Sequence, residues 1–365
     1  MNGPRDTAPA PGTPESGTSG SGTSECGTSA PGAASSAPAT SAPGTATPHP
    51  SVHAPQRPAT RTGTRADWAE LLRLPALFTV PGDALAGAST VASRPGRRTL
   101  LAIGASLCLY QAGMALNDWA DREVDAVERP HRPLPSGRIA PAAALTGAAA
   151  LTAAGIGCAA LAGRPALATA AALAATVWAY DLGLKHTPLG PVAMGTARAL
   201  DLVLGATANG GRARRALPAA AALGTHTLAV TAVSRHEAYG GSTAVPLTAL
   251  ATTTALARTL LGPRPPAGAH PPPAGRRGAA PLGLPGTSLQ GALTAGYLAT
   301  VAVPLWHAAL NPSPPLTRRA VGAGIRAMIP FQAALCARAG APVTALLTAA
   351  LAPAARTFAR RVSIT

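Results

Sequence analysis

The chain is 365 residues long, with 47% hydrophobic but only 12% charged residues, 38 prolines and a formal net charge of +16. Its uncharged tracts of alanine, leucine, glycine and threonine reach the length of membrane-spanning helices, which excludes an average soluble domain. The positive charge comes from arginines between these tracts, with no basic helix face and few aromatic residues, which argues against a nucleic-acid partner. Anionic lipid headgroups and an anionic substrate explain the charge better.

Residues 1–64 consist mainly of Pro, Gly, Ser, Thr and Ala, with almost no large apolar side chain. Such a segment buries too little apolar surface to order itself, so we predict a disordered tail. It has no apolar core near its start, and we therefore do not expect a secretory signal peptide. The folded domain is predicted to cover residues 65–365.

Apolar tracts then follow one another, separated by turns that contain Gly, Pro or Arg. This pattern predicts an all-α, polytopic membrane bundle of about nine transmembrane helices, with a tenth as an open alternative. The tracts cover residues 68–90, 99–116, 140–161, 165–180, 188–208, 217–233, 244–261, 289–310, 318–338 and 341–358.

Two tracts contain ionisable residues, which are costly inside a membrane and usually face a cavity or a partner. Arg73 and Asp83 lie in the first tract, and for both a functional role and a structural pairing stay open. Arg198 and Asp201 lie three residues apart in the fifth, where a private ion pair and a substrate role are equally compatible with the spacing.

The second tract leads directly into an acidic stretch. If the helix continues, Asn117, Asp121 and Asp125 lie at i, i+4 and i+8, with Asp118 beside them. Carboxylates this close repel one another unless a cation lies among them, and Mg²⁺ typically takes one or two carboxylates together with substrate phosphate oxygens. A proline-rich basic loop, 128–138, follows and suits an anion. The sequence therefore predicts a metal–diphosphate site at a membrane edge.

These residues also carry a family resemblance. The pattern Asn117-Asp118-x-x-Asp121-x-x-x-Asp125, with Arg129-Pro-x-Arg132-Pro-Leu-Pro-Ser-Gly-Arg138 after it, resembles the first signature of the UbiA superfamily of intramembrane prenyltransferases. Weaker similarities are Arg73-Leu-Pro, Tyr180-x-x-x-x-Lys185 and Arg198-x-x-Asp201-x-x-x-Gly205.

The resemblance implies nine helices around a central cavity, and transfer of an isoprenoid from its diphosphate to a small-molecule acceptor, most often aromatic, with Mg²⁺ as cofactor. It also implies membrane lipid as surroundings and a bacterial cytoplasmic membrane, with the site loops on the cytoplasmic side. Acceptor, prenyl length and oligomeric state stay open. The implied metal ligands are Asn117, Asp118, Asp121, Asp125 and Glu237. The implied diphosphate contacts are Asn117, Arg132, Arg138, Tyr180, Lys185 and Arg198, and the expected catalytic residues are Asp118, Asp121 and Lys185.

The chain departs from the family pattern at the second acidic motif, which usually holds two or more aspartates. Residues 234–241 offer only Glu237 there, and His236, Asp181 or substrate oxygens are the alternatives that would complete a second metal site. Within the superfamily the chain is most similar to the EboC-like branch of bacterial gene clusters.

Two other interpretations remain. A soluble isoprenyl diphosphate synthase or terpene cyclase uses similar aspartate chemistry, but needs an acidic motif on each of two facing helices. A non-catalytic membrane carrier of lipid or isoprenoid would keep the cavity and lose turnover, and the reduced second motif is the observation that favours it.

Overall fold

The computed structural model describes residues 63–91, 94–238, 240–262 and 286–362. Within these ranges all regular structure is helical, with twelve α-helices and two short 3₁₀ helices, so the predicted all-α class is confirmed. The α-helices are α1 (Arg65–Leu71), α2 (Val80–Ser89), α3 (Arg97–Ala120), α4 (Arg122–Glu128), α5 (Pro141–Ala162), α6 (Arg164–Leu182), α7 (Gly190–Ala208), α8 (Ala213–Ser234), α9 (Ala244–Leu261), α10 (Gly286–Leu310), α11 (Pro314–Arg338) and α12 (Pro342–Val362).

Six of the described helices, α3, α5, α8, α9, α10 and α11, are long and apolar enough to cross a membrane. Helices α6, α7 and α12 have 19 to 21 residues but are less apolar. The predicted count of nine spans is therefore not confirmed. From α5 onward, both ends of each predicted tract lie within four residues of the ends of the corresponding helix. The predicted tail up to residue 62 and the loop 263–285 lie outside the described residues, and the domain boundary near residue 64 stays a prediction.

The first predicted span is wrong as a single helix. The chain instead forms α1, a 3₁₀ helix over Leu74–Thr79 and then α2. Pro75 has no N–H that could hydrogen-bond back to α1, so α1 cannot continue through it. The break falls at Arg73, whose φ of 47° and ψ of 54° are left-handed. This break turns the Arg73 side chain toward the acidic stretch of α3.

Helices α2 and α7 cross at backbone contact because each presents a glycine to the other. A Cβ on Gly205 would lie 2.2 Å from the Ala84 carbonyl oxygen, and one on Gly87 would lie 1.8 Å from that of Leu202. Small residues allow such close approach in membrane bundles, where dispersion contacts rather than water exclusion hold helices together. The crossing places Asp83 of α2 beside Arg198 of α7.

We expect Gly205→Val to separate α2 from α7, because the added side chain would overlap the α2 backbone. Overpacking of this kind costs about 1–3 kcal/mol or more. The measurement is the thermal unfolding midpoint of the purified protein in detergent. Gly157→Val on α5 is the matched control, because nothing lies within 4 Å of its Cβ position. Equal midpoints for the two variants would contradict the close crossing.

Candidate active site

The predicted central cavity is present, with a volume of about 470 Å³, between α3, α6, α7, α8 and α11. Its walls are largely apolar, and polar side chains concentrate in two places. One polar region holds Asn117, Tyr180, Asp181 and Arg73, and the other holds Ser106, Arg198 and Asp201. Ser106 and Asn117 are eleven residues apart on α3, which corresponds to about 16 Å along a helix axis. The cavity is therefore an apolar chamber with a polar group at each end.

The first motif (Asn117, Asp118, Asp121 and Asp125) does not form one regular helix, so the condition on which the predicted spacing depended is not met. Helix α3 ends at Ala120, Asp121 connects the two helices and α4 carries Asp125. Backbone hydrogen bonds from Asp121 to Asn117 and from Asp125 to Asp121 keep a helical spacing. The side chains nevertheless have different partners, since the cation that contacts Asp121 differs from those that contact Asp118 and Asp125.

Each carboxylate of the first motif contacts a cationic side chain. Asp118 lies 2.7 Å from Arg73 and 3.4 Å from Arg132, and Asp125 lies 2.6 Å from the same Arg132. Asp121 lies 2.6 Å from Lys185. Asp118 and Asp125 are buried, and a buried carboxylate without a counterion is strongly destabilising. Arg132 of the basic loop and Lys185 of the segment after α6, both predicted site residues, thus contact the motif.

Two residues of this cluster were not among the predicted ligands. Arg73 is the one described non-glycine residue with positive φ, and its side chain reaches Asp118. Backbone strain of this kind persists only where the surroundings enforce it. Arg129 lies 3.3 Å from Asp125, and their i, i+4 spacing was the available sequence signal. Nothing in the local sequence indicated that Arg73 would meet Asp118, which is 45 residues away.

The end of α6 contributes the other predicted cavity residues. Tyr180 and Asp181 line the cavity, and the Asn117 amide donates to Asp181 Oδ1 at 3.1 Å. Lys185 follows in the next turn, with its side chain 7% exposed. The end of α6 and the turn after it therefore bring Tyr180 and Lys185 to the first motif, together with Asp181.

Arg138 is not brought to the motif. Its guanidinium donates to Asp67 at 2.7 Å and to both carboxylate oxygens of Glu70, which fastens the basic loop to α1. Asp67 also closes a capping box with Thr64. Hydrogen bonds from Thr64 and then from Arg138 lower the pKa of Asp67 to about 2. The structure thus gives Arg138 the contacts of a loop anchor.

Glu237 lies in the turn after α8, outside the set of residues that line the cavity. Burial raises the pKa of its carboxyl, and the nearby guanidinium groups of Arg318 and Arg129 act in the opposite direction. The turn contributes Ser234 to the cavity instead. Glu237 thus interacts electrostatically with Arg129, which itself pairs with Asp125 of the first motif.

Arg198 and Asp201 do not form the private ion pair that their spacing allowed. The Arg198 Nε lies 2.9 Å from Asp83 Oδ2, while Asp201 accepts a hydrogen bond from Ser106. Gln332 donates to the Thr79 carbonyl oxygen at 2.8 Å and also to Asp83. This network is fully buried, and it joins α2, α3, α7 and α11 at the inner end of the cavity. Arg198 makes no bond to the first motif in the described structure.

The donor set of the first motif fits a hard divalent cation. One amide oxygen and three carboxylates lie on consecutive turns, and oxygen ligands of this kind are what Mg²⁺ prefers. In the ranges that the structure covers, no three His, Cys, Asp or Glu side chains already converge closely enough to hold a metal ion. Guanidinium and ammonium groups hold these carboxylates instead. A metal would therefore bind by displacing cations that the protein itself supplies.

Comparison with known proteins places these features in context. The model of the UbiA prenyltransferase family matches residues 76–311. A digeranylgeranylglyceryl phosphate synthase of Methanothrix thermoacetophila is 54% identical over 44 residues, which are 12% of this chain and 16% of that relative. A synthase of the same name from Methanopyrus kandleri is 44% identical over 66 residues, 18% of this chain and 22% of that protein. The matches thus span less than a quarter of either relative.

A solved structure extends the similarity to the fold. The apo structure of a UbiA homologue from Aeropyrum pernix superposes with a TM-score of 0.54 and 18% identity, covering 71% of this chain and 96% of that one. At this identity the likeness concerns the arrangement of helices.

We expect Arg138→Gln to loosen the basic loop, because it removes the bonds to Asp67 and Glu70. Amide hydrogen exchange of residues 129–138, followed by mass spectrometry, should become faster, while α3 stays protected. Arg122→Gln is the control, since that arginine pairs with the exposed Glu123. Because the pKa of Asp67 is lowered, its charge and its contribution to the anchor persist at neutral pH, and are lost only as the pH falls through about 2. Unchanged exchange in Arg138→Gln would contradict the anchoring role.

Proposed function

Since the family match covers more than half of the sequence, this chain belongs to the UbiA prenyltransferase family, and we propose that it is a membrane prenyltransferase. It moves an isoprenoid chain from its diphosphate to an acceptor. The observation that carries the proposal is the cluster of acids and cations at one end of an apolar cavity. A prenyl diphosphate has the same division into a charged head and an apolar tail.

The protein is integral to a membrane, given its apolar helices and its family. We place it in the cytoplasmic membrane of a bacterium, with the acidic motif facing the cytoplasm, on the strength of the family resemblance. Its partners in this proposal are a prenyl diphosphate, a small aromatic or lipid-like acceptor and membrane lipid, and nucleic acid is not among them.

In the proposed reaction the donor's diphosphate lies at the first motif and its chain lies in the cavity. Asn117, Asp118, Asp121 and Asp125 would hold Mg²⁺, which when bound neutralises the diphosphate and favours its departure. Arg73, Arg132 and Lys185 exchange a carboxylate for diphosphate oxygens, so that positive charge already stands where negative charge develops.

The bond between C1 of the prenyl chain and the diphosphate oxygen breaks, and its electron pair leaves with the diphosphate. A new bond forms between C1 and the acceptor, which releases a proton. The apolar walls, including Leu109, Val177 and Met194, keep water away from the electron-deficient carbon.

The two alternative interpretations are not equally supported by the structure and the family match. The soluble isoprenyl diphosphate synthase is set aside, because six described helices are apolar enough to span a membrane and the family match is to intramembrane enzymes. The non-catalytic carrier keeps one supporting observation, which is that the second motif has Glu237 as its only acid.

We expect radiolabelled transfer from a prenyl diphosphate in membranes that hold the full chain, with a lipid extract as acceptor and a panel of donor lengths. Chelation of Mg²⁺ should abolish transfer, and Asp121→Asn should lower it at least about a hundredfold, because the mutation removes a carboxylate that is proposed to hold Mg²⁺ at the diphosphate. Glu123→Gln is the matched control, since that side chain is 85% exposed and two residues away. Absence of transfer from every donor, with a folded protein, would favour the carrier.

A further inference from the structure

The first motif contains three acidic residues, whereas the turn after α8 contains one. The structure places another acid close to the first motif. We propose that Asp181, at the end of α6, replaces the reduced second motif as the ligand that completes the metal–diphosphate site, and that Glu237 does not serve there. This inference rests on the proposed function and assigns one further residue of the same site.

Asp181 lies beside the first motif. It is buried, lines the cavity and accepts a hydrogen bond from Asn117 at 3.1 Å. That bond uses the Asn117 nitrogen and Asp181 Oδ1. Among the described residues, none donates to Asn117 Oδ1 or to Asp181 Oδ2, so each side chain keeps one oxygen for a ligand. Oxygen atoms from an amide and a carboxylate suit Mg²⁺.

Lys185 provides a second observation that points to a ligand. Its side chain is 7% exposed, and its Nζ lies 2.6 Å from Asp121 Oδ1 as an ion pair. In the described structure, however, the ammonium makes no hydrogen bond of good geometry. A buried ammonium with unused N–H groups is costly unless an anion completes its shell. The diphosphate held between Asp181 and the first motif would be such an anion.

Glu237 is in a different environment. It does not line the cavity, and the charged groups around it are Arg318 and Arg129. Arg129 itself is held by Asp125 at 3.3 Å. Two guanidinium groups therefore act on Glu237, whereas Asp181 is hydrogen-bonded directly to Asn117 of the first motif. The acid at the position of the family's second motif thus has arginines as the charged groups around it.

Binding of Mn²⁺ to the purified full chain, in the presence of inorganic diphosphate, tests the assignment directly. The loss of the free Mn²⁺ signal in electron paramagnetic resonance gives the affinity without need of turnover. We expect Asp181→Asn to weaken binding at least about tenfold, by analogy with losses at metal-supporting residues. The asparagine keeps the shape and still accepts from Asn117, so a purely structural role would leave the affinity unchanged. Glu237→Gln should bind as the unmodified chain does.

Two further variants separate the possible failures. Asp121→Asn must also weaken Mn²⁺ binding, and if it does not, the proposed function itself is wrong. If Asp121→Asn weakens binding and Asp181→Asn does not, or if Glu237→Gln does, only the assignment of Asp181 is overturned. Asp181→Glu restores the charge and should recover part of the affinity, which keeps the test valid should Asp181→Asn unfold.

Discussion

Ion pairs between buried carboxylates and arginine organise both polar ends of the cavity. Asp118 and Asp125 are buried beside the same Arg132, and Asp83 is buried beside Arg198. Removing one partner of such a pair typically costs about 3–5 kcal/mol. The pairs therefore hold the basic loop against α3 and α4, and α2 against α7.

The same kind of ion pair holds the acidic motif in place. Arginine and lysine side chains hold the carboxylates in place, and they are also the groups that a diphosphate would attract. Binding then becomes an exchange of partners among charges that are already desolvated.

Small residues set the shape of the chamber behind this site. Gly205 brings α7 against α2, which seals the inner end of the cavity with a network of Asp83, Arg198 and Gln332. Apolar walls separate that network from the acidic end. The cavity thus offers its charge at two ends and excludes it from the middle, as an isoprenoid chain requires.

The sequence by itself determined the helical class, most helix ends and the first acidic motif, because apolar periodicity and clustered charge are local properties of the chain. It also named Lys185 and Arg132 through the family resemblance. Only the tertiary structure decided the partners. The contact of Arg73 with Asp118, the anchoring of Arg138 on α1 and the contact of Asp181 with Asn117 join residues that are 45, 71 and 64 positions apart. Helix packing brings such residues together, and no local spacing records it.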